Sequence, residues 1–242
     1  MIDLYYYKSP NGRKVLIALE EVGLPYHVHW VDISNGEQFT ADYLMISPSG
    51  KIPAIVDRDG VGGEVAMFES AAILIYIADK TGKLLATAGA ARYRTLSWLS
   101  WQIGSQGPML GQATHFFSHA RNYGIEIPYA IDRYDGEARR CYKTMEDHLK
   151  QNEWFGTEFS IADIALFPWT RTAKGQGIDL AEYPNVKAWS ERIASRPAAN
   201  VKPSEDTLKG LMSGKSYKDM ESRRTLFGDA FAKHEVRKGG SP

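Results

Sequence analysis

In the first eighty residues strand-like and helix-like segments alternate, whereas from residue 90 onward only helical patterns remain. One sheet or one bundle cannot absorb both halves, so the chain must build an α/β layer and an all-α layer separately. Residues 2–7 read as a strand, "KSPNG" as a turn, and Val15, Leu16, Leu19 and Val22 recur at helical spacing until Gly23 stops them. This reading starts the helix near Arg13. "YHVHWVD" predicts a second strand, and the polar stretch "SNGEQFTADYLMISPSG" a short helix. Ala54 to Asp57 and "EVAMF" predict two strands joined by the hairpin turn "DRDGVGG", and residues 70–80 close the series as a helix.

The helical half places Trp98, Trp101, Tyr142, Leu149, Phe167, Trp169 and Trp189 along its segments, as a bundle core requires. Within it "SIAD" puts a serine hydroxyl three residues before an acid, an approximate capping box. The expected division is residues 1–82, residues 90–202, and a C-terminal extension over 203–242 in which "RRTLFGDAF" predicts one docked helix.

Charge excludes several function classes. The 29 basic and 29 acidic side chains cancel, so no overall field steers the protein to nucleic acid or to an anionic membrane. The run "AAILIYIA" is too short to span a bilayer. "MIDLYYY" has no basic segment followed by an apolar stretch and a cleavage site, which predicts a cytoplasmic protein. Cys141 is alone, so a disulfide framework, a CxxC pair and a multi-cysteine zinc site are all excluded. Thiol chemistry would need a borrowed thiol.

Pro53, at the mouth of the third strand in "KIPAIVD", has no amide hydrogen to give a neighbour. A strand-helix-strand unit followed by a hairpin and a helix, with Ile-Pro entering the third strand, resembles a thioredoxin-like domain. With "FES" opening the next helix and "SIADIALFPW" in the helical half, the whole resembles a cytosolic glutathione transferase. "MIDLYYYKSPNGRKVLIALEE", "ISPSGKIPAIVD", "FESAAILIYIADKTG", "IPYAIDRY" and "YPNVKAWSERIASRPA" are similar to the bacterial Nu class, the glutathione-dependent disulfide-bond oxidoreductases.

This resemblance implies roles. A cis bond at Pro53 would turn the backbone of Ile52 outward to pair with the cysteinyl part of glutathione. Ser70 would hold the γ-glutamyl carboxylate at a helix start, with Glu69 on the ammonium; alone, Ser70 is an ordinary cap. Gln38 and Lys51 match positions holding the rest of the tripeptide, and Lys51 suits the glycyl carboxylate. Ser9 and Asn11 would stabilise the thiolate, although Ser-Pro-Asn-Gly is also a good turn. Tyr7 competes for that role, since other classes use a tyrosine nearby. Arg133 matches an arginine facing glutathione, its alternative being a surface pair with Asp132 or Glu137.

His115 and His119, spaced i, i+4 in "HFFSH", have no third ligand in view and predict no metal site. His27 and His29 share a strand face and are expected to be solvated. The implied activity is reduction of small disulfides through bound glutathione, reduced or as its disulfide, without a protein cysteine. The alternatives are attack on carbon electrophiles, by aromatic conjugation or β-aryl ether cleavage, and a non-catalytic regulatory or scaffolding role. The implied assembly is a homodimer.

Overall fold

The computed structural model describes residues 1–203 and 220–228. One unit comprises Met1–Thr81 with the described residues from Asn200 on, and the other Gly82–Ala199. In the first, β1 (Ile2–Tyr6), β2 (Tyr26–Trp30), β3 (Ala54–Asp57) and β4 (Val65–Phe68) form a sheet of order β2-β1-β3-β4. β1 runs parallel to β2 and antiparallel to β3, and β3 antiparallel to β4. Ile2, Leu4 and Tyr6 alternate into the core, and β3 is buried along its whole length. Two helices of this unit, α1 (Pro10–Val22) and α3 (Ser70–Thr81), pack against each other. Away from them, Tyr43 of α2 (Ala41–Ile46) joins Val31 and Ala54 in a cluster with Tyr5, Ile46 and Ile52.

Two boundaries differ from the sequence reading. β1 ends at Tyr6, because the Ser9 amide turns back to the Tyr7 carbonyl at 2.8 Å. α1 begins at Pro10, not near Arg13, because proline's fixed φ suits a first helical position and Ser9 caps the turn by accepting the Gly12 amide at 3.1 Å. Asn11 therefore lies inside the first turn. Gly12 is required there, since a Cβ would stand 2.3 Å from the Tyr7 carbonyl oxygen.

The second unit contains α4 (Gly89–Trp101), α5 (Gly107–Thr114), α6 (Ala120–Asn122), α7 (Pro128–Leu149), α8 (Ile161–Thr170), α9 (Pro184–Ala194) and, at its edge, α10 (Pro197–Asn200). Wide π turns at Gln102–Gln106 and His115–His119 join α4, α5 and α6. Asp163 is fully buried and accepts from the amides of Phe155 and Ser160 (3.1 Å each), the Ser160 hydroxyl (2.9 Å) and the Trp189 indole (2.9 Å). The capping box expected at "SIAD" is present. Glu146 of α7 is likewise spent internally, accepting the Asn185 and Val186 amides at 3.0 Å each where α9 begins.

A last helix, α11 (Met220–Phe227), returns to the first unit and packs on the Ile33–Asn35 turn. The remainder of "RRTLFGDAF", from residue 229, lies outside the described residues, as does most of the expected extension. No helix among the described residues is long and apolar enough to cross a membrane.

Candidate active site

Sheet topology brings the motifs of the first unit together. Because β3 runs against both neighbours, Ala54 pairs with Tyr5 near the end of β1 and with Phe68 at the end of β4. The turn into α1, the approach to β3 and the start of α3 thus share one end of the sheet. Ser9, Asn11, Ile52, Pro53, Glu69 and Ser70 belong to those three segments.

The approach to β3 is held from behind. Hydroxyls of Tyr43 and Ser47 both donate to the Lys51 carbonyl at 2.8 Å. The Ile52–Pro53 bond is cis, as the sequence reading expected. Among the described residues, neither the amide nor the carbonyl of Ile52 has a backbone partner. Lys51 itself is exposed. Gln38 is buried, its amide nitrogen donating to the Ile33 carbonyl at 3.1 Å while its side-chain oxygen has no partner among the described residues. Its backbone borders Gly50, where an added Cβ would lie 3.4 Å from the Gln38 carbonyl.

At the start of α3, Glu69 takes a left-handed φ of 70°, rare for a residue with a side chain, while its carbonyl accepts the Ile73 amide at 3.0 Å. Its side chain is exposed. Ser70 is buried, and its hydroxyl oxygen accepts from the Lys14 ammonium at 3.2 Å. Among the described residues no side chain accepts the amides of Ser70, Ala71 or Ala72, so the positive end of the helix dipole is unspent there. Lys14 was not singled out in the sequence. Its signal was spacing, for it shares an i, i+4, i+8 stripe with Ala18 and Val22 and is buried with them.

At the start of α1, Ser9 accepts the Gly12 amide, which leaves its hydroxyl hydrogen to be donated. Tyr7 instead shares a hydrogen bond with Ser34 at 3.3 Å and packs its ring on Trp30. Tyr5 stacks on His29, whose ring lies 2.8 Å from the Asp3 carboxylate, so His29 is engaged rather than simply solvated.

Arg133 lies in the other unit, exposed on α7, and Glu137 pairs with Arg140. The rings of His115 and His119 are 6.5 Å apart, and burial lowers both pKa values. No cluster among the described residues has three ligands for a metal ion. Cys141 is buried in α7, where burial pushes its thiol up to about 11.

Comparison with known proteins agrees with this architecture. Residues 8–80 match the family model of the glutathione S-transferase N-terminal domain, and residues 128–192 that of the C-terminal domain. The chain is 51% identical to the disulfide-bond oxidoreductase YfcG of Escherichia coli over 82% of its length and 92% of that protein's. It is 33% identical to the disulfide-bond oxidoreductase YghU of the same organism, over 81% of this chain and 72% of that one. A glutathione transferase family member from Pseudomonas fluorescens, solved with two glutathione bound, superposes with a TM-score of 0.76 at 44% identity, covering 82% of this chain and 90% of that one. One from Pseudomonas putida, with one glutathione disulfide bound per subunit, gives 0.78 at 38% identity, covering 86% and 90%. The chain belongs to the glutathione S-transferase family.

Proposed function

We propose that the protein is a glutathione-dependent thiol–disulfide oxidoreductase of Nu-class type, which reduces small disulfides without a cysteine of its own. The observation that carries this reading is the convergence of the α1 start, the Ile52–Pro53 approach and the α3 start at one end of the sheet. Those segments suit an extended tripeptide. Its γ-glutamyl carboxylate meets the unspent amides and Ser70 of α3, with Glu69 on the ammonium. Its cysteinyl backbone pairs with Ile52, and its thiol lies at the α1 start near Ser9 and Asn11. Gln38 and Lys51 hold the glycyl end.

A thiol of pKa about 8.5 is favoured as thiolate by hydrogen-bond donors and a helix N-terminus. The thiolate attacks one sulfur of the substrate disulfide; the S–S bond breaks, a new bond joins glutathione to that sulfur, and the released thiolate takes a proton. A second glutathione thiolate then attacks the mixed disulfide, freeing the second substrate thiol and leaving glutathione disulfide. Cys141, the chain's one cysteine, is buried with a raised pKa and unsuited to either step. The two E. coli relatives named as disulfide-bond oxidoreductases, and the two Pseudomonas relatives solved with glutathione or its disulfide, support the same chemistry. A cytoplasmic homodimer goes with this reading, checked by light scattering and cell fractionation.

Glutathione-dependent reduction of 2-hydroxyethyl disulfide, compared with conjugation of a chlorodinitrobenzene, tests the reading. Wild type should favour the disulfide. Asn11→Ala and Ser9→Ala should each lower turnover about 10- to 100-fold through lost thiolate stabilisation. Tyr7→Phe should stay near wild type, because its hydroxyl is committed to Ser34. Glutathione binding with neither activity would sink the enzyme reading, and loss of turnover in Tyr7→Phe alone would move the activating role to Tyr7.

A further inference from the structure

A lysine buried to 1% exposure in a small α/β unit needs a reason. Lys14 sits on the inward stripe of α1, and its Nζ reaches the Ser70 hydroxyl at 3.2 Å, linking the second turn of α1 to the first turn of α3. Burial lowers its pKa to about 7, against the opposing pull of Glu69. Glu69 before α3 and Ser70 on α3 face it; Arg13, which bonds the Val201 carbonyl, precedes it on α1, and Lys14 makes a further interaction besides these.

A serine hydroxyl has one hydrogen to give. An ammonium can only donate, so charged Lys14 occupies a lone pair of Ser70 and leaves that hydrogen for another acceptor. A neutral amine can accept, so deprotonated Lys14 can draw the hydrogen inward. We propose that Lys14 is a positioning residue for the glutathione site, its ammonium aiming the Ser70 hydroxyl at the ligand's γ-glutamyl carboxylate and placing positive charge beneath the first turn of α3. This rests on the assignment of the carboxylate to Ser70 and α3 made above.

The linkage has a definite sign. A carboxylate above Lys14 favours its charged form, so the bound protein holds the proton to higher pH than the free protein. Binding therefore takes up a proton above about pH 7, and affinity falls as pH rises, by at most about tenfold per pH unit.

S-methylglutathione is the probe, because its sulfur cannot titrate. Calorimetry between pH 6.5 and 8.5, in buffers of different ionisation heat, should show proton uptake and weakening affinity for wild type. Lys14→Arg, which keeps the charge but does not titrate in this range and shares the ligand's own ionisation, should bind with little pH dependence. Lys14→Met should bind at least about tenfold more weakly at pH 6.5, the order expected for a lost charge-assisted contact. Wild-type binding with no more proton uptake than Lys14→Arg would overturn the proposal without touching the site. Failure of wild type to bind S-methylglutathione at any pH would overturn the site and the proposal together.

Discussion

Two helix starts in the helical unit, those of α8 and α9, and one in the sheet unit, that of α3, are treated in opposite ways. In the helical unit the chain supplies the anions: Asp163 closes the cap of α8, and Glu146 reaches across from α7 to the first amides of α9. In the sheet unit α3 begins at a strained, exposed Glu69 and a buried Ser70, with no carboxylate of the described chain on its first amides. The physics is the same at all three places, free amides and a dipole that favour negative charge. A helix start filled from within serves stability, and one left unfilled can serve a ligand.

The contrast can be broken first at Asp163. Asp163→Ala leaves three buried amide or indole donors and a hydroxyl without their acceptor, and should cost about 3–5 kcal/mol in urea unfolding. Glu146→Gln keeps an acceptor but removes the charge at α9, and about 1–2 kcal/mol is expected. Ser70→Ala should move stability least, by up to about 1 kcal/mol, yet weaken glutathione binding at least about tenfold. A Ser70→Ala protein that unfolds early but binds normally would place Ser70 with Asp163 and Glu146 as a structural cap.

The sequence announced the open start of α3 and the closed start of α8, but not the closed start of α9. "FES", "KSPNG" and "KIPAIVD" are local strings, and the sheet register needed to gather them follows from strand order. "SIAD" was equally local, its acid only three residues from the cap. Glu146 was not legible, because its partners lie 39 and 40 residues away and nothing in α7 marks one glutamate from another. Lys14 hid for a different reason. An apolar stripe is read by its apolar members, and a lysine on it looks like an edge residue until burial is known. The start of α1 lies earlier than the turn residues of "KSPNG" suggest, because Pro10 can also begin a helix. The π turns around His115 and Gln102 escaped a reading that assumed a constant 3.6-residue period.

Cys141 carries a practical consequence. Folded, its sulfur is shielded from reagents and disfavoured as thiolate; unfolded, it is an ordinary thiol. Since the chain has no other cysteine, the rate at which Ellman's reagent gains colour with it counts openings of the region around α7 and nothing else. A protein proposed to work on other molecules' disulfides thus comes fitted with a clock for its own unfolding. That clock can be read without a mutation.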